Sequence, residues 1–215
     1  DTSAPAGFKY SYKVTITVAN SSPSAGDRIV LSQRIEGNNV AHFSLGTANA
    51  QAFVVSFYVR SSVTGTYAIQ AGDSNSSRSF VSEYTINTAN TWEYKTVQFT
   101  GDTSGSNWVT DNTIGLRIQW PLEVGSTRET TTLNSWISGE FLGSSSHVDL
   151  SNTNGATWQI AGVQCELGSV ATPFEHRNYG DELQKCQRYY QIFQSGGAGT
   201  ATGANQTNSA HCGVT

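Results

Sequence analysis

The chain has 215 residues, of which 37% are apolar and only 13% charged, with a formal net charge of −4. That balance offers no basic stripe for tracking phosphates and so argues against nucleic-acid binding. No apolar run reaches the ~20 residues a membrane-spanning helix needs, which excludes insertion by a helix. Ser, Thr, Asn and Gly take the place of the missing Lys and Glu, as suits an extracellular β protein. The chain opens Asp1-Thr2-Ser3 and contains no Met, so it is expected to be an internal or processed piece of a longer polypeptide.

In chain order, the first expected element is a half-buried strand. Tyr10, Tyr12, Val14, Ile16 and Val18 alternate with Ser11, Lys13, Thr15 and Thr17, and period-two alternation sends successive side chains to opposite faces. β-type runs follow at 28–36, at Phe53, Val55, Phe57 and Val59, at 66–71, 78–87 and 92–100, at Ile114, Leu116, Ile118 and Trp120, and at 158–167. Turn-forming clusters of Asn, Gly, Ser and Asp separate them. Strands at this spacing, with no room for crossover helices, predict an all-β fold: a two-sheet antiparallel β-sandwich of the jelly-roll kind over residues 1–172. A connector and short helix are expected over 173–194. Asn178 starts the helix, and Tyr179, Leu183, Cys186 and Tyr190 lie at i, i+4, i+7 and i+11 on one face. Residues 195–215 read as a linker or as the start of a further, truncated domain.

The search for chemistry yields no catalytic residue. Glycoside hydrolysis needs two facing carboxylates ~5–10 Å apart. The acids lie mostly in turns or caps, and nothing in the sequence pairs Glu83 or Glu93, the two that fall on strands. A serine hydrolase is disfavoured because Gly143-Ser144-Ser145-Ser146-His147 lacks the second glycine of a nucleophile elbow. Cys165, Cys186 and Cys212 are too widely spaced for a zinc site and read as small buried hydrophobes. No cofactor is expected. Asp102-Thr103-Ser104 and Asp111-Asn112 offer oxygen ligands for a structural calcium, although ordinary turn capping explains the same residues.

Sugar binding needs a flat aromatic platform ringed by amide, guanidinium or carboxylate groups. Trp92, Trp120 and Trp158 fall in strand patterns and are expected in the core. Trp108 and Trp136 sit in polar, loop-like stretches and are candidates for exposure. Tyr58, Arg60, Glu83, Arg117 and Gln119 occupy the polar faces of their strands and would line one surface if those strands neighbour each other in a sheet. These seven residues are the expected ligand-binding set. The alternative is a solvated face or a subunit contact.

Several stretches resemble one module found in bacteriophage tail-fibre and other virion-surface proteins. They include Gln33-Arg34-Ile35-Glu36-Gly37-Asn38-Asn39, Val54-Val55-Ser56-Phe57-Tyr58-Val59-Arg60, and Asn90-Thr91-Trp92-Glu93-Tyr94. The most specific run is Val163-Gln164-Cys165-Glu166-Leu167-Gly168-Ser169-Val170-Ala171-Thr172-Pro173-Phe174-Glu175-His176-Arg177. The resemblance covers about residues 28 to 190 and implies a carbohydrate-binding-module-like jelly roll without enzymatic activity. It implies partners of three kinds: host-surface glycan, other virion proteins, and two further copies of the chain in a homotrimer. It carries over no set of sugar-binding residues. A structural decoration or fibre-assembly role, and more weakly a polysaccharide depolymerase component, are the alternatives. Phe174 and the Tyr179, Leu183, Tyr190 stripe are expected to pack the helix against the sandwich or a neighbouring subunit.

Overall fold

The computed structural model describes residues 1–188. These fall in two units, Asp1–Glu175 and the part of His176–Thr215 that is described. Cys212, Tyr190 and the 195–215 tract lie outside the described residues. The first unit is a two-sheet antiparallel β-sandwich, as the alternation predicts. Its strands are β1 (Tyr12–Thr15), β2 (Arg28–Glu36), β3 (Phe53–Ser61), β4 (Gly65–Gly72), β5 (Arg78–Ile86), β6 (Glu93–Phe99), β7 (Ile114–Val124), β8 (Trp136–Ser138) and β9 (Thr157–Leu167). A four-stranded sheet runs β1-β9-β3-β6 and a five-stranded sheet β2-β7-β4-β5-β8. One helical turn, α1 (Gly37–Val40), lies between β2 and β3.

Alternation builds the core directly. Phe53, Val55, Phe57 and Val59 of β3 face Ile69 of β4, Tyr84 of β5 and Ile118 and Trp120 of β7, all buried. The Phe57 ring meets Tyr84 and Trp120 edge-on at 5.2 and 5.6 Å, the favoured arrangement for aromatic quadrupoles. Trp158 is buried as expected. Trp92 is instead half-buried, just ahead of β6.

The outer faces are not bare. On the four-stranded sheet, residues 1–8 and 172–175 form a roof. Phe8 packs on Tyr58 at 5.6 Å and on Phe174 at 4.9 Å. Beneath it β9 bulges, with Ser56 opposite Gln164 and Tyr58 opposite Ala161. Gly162 sits in that bulge at φ +58°, and a Cβ there would lie 2.5 Å from the Phe8 ring, so both backbone and packing require glycine. On the five-stranded sheet, residues 142–149 form a strap. β4 meets β7 only over Gln70–Gly72, and the strap supplies the missing partners further along. Val148 N–H donates to the Thr66 carbonyl (2.8 Å), Ala68 N–H to His147 Nδ1 (3.1 Å) and Val124 N–H to Asp149 Oδ1 (2.8 Å). Ala68 and Gln70 are buried beneath it.

Three sequence expectations are corrected. The first strand shrinks to four residues, with Tyr10, Tyr12 and Val18 exposed instead of packed in the core. Trp136 lies on a short strand instead of in a loop. The terminal helix, α2 (Tyr179–Gln187), begins where expected, with the Asn178 side chain accepting from Gly180 N–H at 3.0 Å, but it buries none of its residues. Of its apolar stripe Tyr179 is 78% and Leu183 40% exposed, and Cys186 is exposed, not buried. Phe174, by contrast, does pack on the sandwich. No described helix is long and apolar enough to cross a membrane.

Candidate functional site

The residues nominated by sequence do not converge. Tyr58 and Arg60 lie on β3 in the four-stranded sheet, whereas Glu83, Arg117 and Gln119 lie on β5 and β7 in the other, so the single shared surface does not exist. Alternation tells which residues of one strand share a face, but not which sheet that strand joins.

Most of the seven are also spent on the fold. Tyr58 is held between Phe8 and Tyr94, the latter at 5.0 Å. Arg60 donates to the Asn90 carbonyl (2.8 Å), Ser3 Oγ (2.7 Å) and Gln159 Oε1 (3.2 Å), which ties down the N-terminal roof. Glu83 Oε1 accepts from Ser144 and Ser146 of the strap. Arg117 bonds Ser76 Oγ and the Ser74 carbonyl; desolvation, and then the neighbouring Arg34 charge, lower its proton affinity. Gln119 stands between Ser32 and Gln70 on the same face as Arg117. Trp108 and Trp136 do meet, edge to face at 5.3 Å, but both are half-buried against the core. The Trp108 indole N–H reaches Asp102 Oδ2 (3.2 Å) and the Ser104 carbonyl (3.1 Å), and that of Trp136 reaches the Thr100 carbonyl (2.6 Å).

The calcium loops are likewise occupied by their own chain. Both oxygens of Asp102, which is 1% exposed, take Arg78 in a fork of 2.8 and 2.7 Å. Asp111 caps Thr113. Among the described residues no group of three or more His, Cys, Asp or Glu is placed to hold a metal. The half-buried Cys165 thiol is pushed up to about 12, by burial and then by Glu166, so it stays protonated and unreactive.

Two openings flank the sandwich: between β5 and β6 a polar cavity of about 400 Å³ is lined by Phe80, Ser82, Glu83, Thr96, Val97, Gln98, Thr100 and Asn134, its one carboxylate already engaged by Ser144 and Ser146, and a more apolar opening lies at the opposite edge. There β1 is short and β2 belongs to the opposite sheet, so the two sheets gape. The gap forms a cleft of about 280 Å³ lined by Tyr12, Leu31, Ser32, Gln33, Trp120, Ile160 and Val163. That size is just below the ~300–1,000 Å³ typical of small-molecule sites and suits a single sugar-sized ring.

Each lining residue is placed by a local cause. Pairing puts Leu31 beside Trp120, and Tyr12 beside Ile160, so both pairs face inward at the margins of their sheets. The β9 bulge leaves Val163 unpaired with β3, and it lines the cleft. Trp120 is 1% exposed, and its indole N–H has no hydrogen-bond partner. Gln33 donates its amide N–H to the Arg34 carbonyl at 3.0 Å, and no described donor meets its amide oxygen. Tyr12 stands at the rim, 58% exposed. The cleft is thus an apolar slot with an aromatic lip and the Gln33 amide, and no charged group in its lining. The sequence reading missed it because Tyr12 and Trp120 were both assigned to packed strand faces. The available signal was the brevity of apolar alternation after Ile16.

No family model matches the chain, and no curated protein matches it. Among solved structures it is similar to a family 4 carbohydrate-binding module at 14% identity and a TM-score of 0.39, covering 78% of this chain and 87% of that one. It is also similar to a family 61 module solved with β-1,4-galactotriose (10%, TM-score 0.37, covering 76% and 74%) and to a family 16 module (11%, TM-score 0.31, covering 74% and 78%). Superposition at this level carries no argument about site or ligand.

Proposed function

We propose that this chain is a non-catalytic glycan-recognition module of a virion surface appendage, and that the open-edge cleft holds the sugar. The observation that carries the glycan reading is the cleft itself: a solvent-exposed tyrosine at the lip of an apolar slot, with Trp120 and Gln33 in its lining. Aromatic faces stack on the C–H faces of pyranoses, while planar polar groups bond their hydroxyls. No carboxylate lines this cleft, so the acid pair that glycoside hydrolysis requires is missing there, which supports binding as its role.

The virion setting, the homotrimer and the virion partners rest on the resemblance over residues 28–190. In such a setting a single weak site gains avidity from copies held on one particle. A second reading, fibre assembly or decoration, is favoured by one observation: Tyr179 and Leu183, large apolar residues of α2, are exposed among the described residues.

Binding of the full chain to an array of host-surface glycans, compared with Tyr12→Ala, tests the first reading. Specific binding that falls at least tenfold in the variant is expected, about 1.4 kcal/mol. No binding, or equal binding by both proteins, overturns it in favour of assembly.

A further inference from the structure

Tyr12 is not alone at the lip. Tyr10 is 59% exposed, and between the two tyrosines Ser11 is buried. Ser11 is fixed in extended form by Asp1: the N-terminal ammonium donates to the Ser11 carbonyl (2.9 Å), Ser11 N–H donates to the Asp1 carbonyl (3.0 Å), and Ser11 Oγ donates to the Ser3 carbonyl (2.5 Å). With Ser11 turned toward the roof, where its hydroxyl meets Ser3 and Gln159, Tyr10 and Tyr12 point to the other side, roughly 7 Å apart along the extended chain. That step is on the scale of one sugar unit, so a ring in the cleft would lead a second ring onto Tyr10.

The two places differ in charge. The cleft lining is neutral. Over Tyr10, the Lys9 ammonium lies 5.1 Å from the ring centroid and makes no ion pair among the described residues, whereas Lys13, on the other side of the tyrosines, is paired with Asp1 at 3.3 Å. An ammonium resting on an exposed aromatic ring is poised to bond an anion brought onto that ring.

Resting on the reading of the cleft as a sugar site, we infer that the ligand leaves the cleft over Tyr10 and carries a carboxylate there: a neutral sugar followed by a uronic acid. The cleft reads ring shape, and Lys9 reads the charge of the next unit. An exposed pair of this kind contributes little, so the preference for the acidic ligand is about three- to fivefold, within the ~0.2–1 kcal/mol of exposed ion pairs.

The test is an array on which each neutral oligosaccharide is matched by its counterpart with a uronic acid in the second position, read at 20 mM and 500 mM NaCl. The expected result is an acidic-to-neutral binding ratio of about three to five at low salt that falls to one at high salt, and falls to one in Lys9→Gln at either salt. A ratio of one in the unaltered protein at low salt, or a preference that survives Lys9→Gln, overturns this inference and leaves the cleft reading standing. No binding to any member overturns both.

Discussion

The roofed outer faces of the sandwich and its open side treat the same kinds of residue in opposite ways. On the faces, aromatic rings, guanidinium groups and amides bond to the chain's own segments: Tyr58 to Phe8, Arg60 to Ser3 and Gln159, and Glu83 to Ser144 and Ser146. On the open side Tyr12, the Trp120 N–H and the Gln33 amide oxygen meet no such partner. A residue type suited to sugars therefore says little about function until its partners are known.

The comparison breaks most severely where a face is held by buried charge. Arg78→Met removes the partner of Asp102, which is 1% exposed, and leaves that carboxylate buried and unpaired. The expected cost is about 3–5 kcal/mol, read as a fall of roughly 10 °C in the thermal midpoint. A loss below ~1 kcal/mol would show that the Arg78 fork is not what holds this end of the sandwich.

Next in size is the strap. His147 Nδ1 accepts from Ala68 N–H, which requires a neutral ring, and burial lowers its pKa to about 4 although the nearby Glu83 charge opposes the shift. The unfolded chain takes up this proton near pH 6.5 and the folded chain only near 4. As pH falls through that window the unfolded state binds more protons, so stability declines and then levels off below the folded value. The shift corresponds to about 3 kcal/mol, and His147→Gln should flatten that part of the curve in chemical denaturation from pH 7 to 4. A wild-type profile already flat between 6.5 and 4 sinks this account of the strap. A smaller effect belongs to the other roof: Phe8→Ala opens the half-buried aromatic contact with Tyr58 and Phe174 and should cost about 2 kcal/mol with unchanged cleft binding. Loss of binding at equal stability would mean that the roof and the cleft are not separate.

The sandwich was legible in the sequence because burial on one face of a strand writes itself as period-two alternation. The bounds of β2 and the inward faces of β3 and β7 follow from the pattern alone. Sheet membership was not legible, since β1 and β2 are neighbours in sequence yet join different sheets. The roofs were also hidden. Residues 1–8 and 142–149 have no period to read, and it is their contacts that remove Tyr58, Arg60 and Glu83 from the exposed surface. Tyr10 and Tyr12 misled in the opposite direction, because they alternate like core residues but stand at the margin of the four-stranded sheet, more than half exposed across the cleft from β2. The site thus lies where a correct local pattern is left uncovered.

The smallest expected effect is the most discriminating. Gln119 stays on the outer face of β7, beside Ser32 and Gln70, while its chain neighbour Trp120 points through the sheet into the cleft. Gln119→Ala deletes an amide of the kind that bonds sugars, yet it does so on the side of the sheet away from the slot. Its expected effect on glycan affinity is less than about twofold, under ~0.4 kcal/mol, against the tenfold loss expected of Tyr12→Ala. Calorimetry on both variants with one glycan measures the contrast. If Gln119→Ala were the more damaging, the ligand would lie on the outer face of the five-stranded sheet, and the gap between the sheets would be only an unfilled margin of the core.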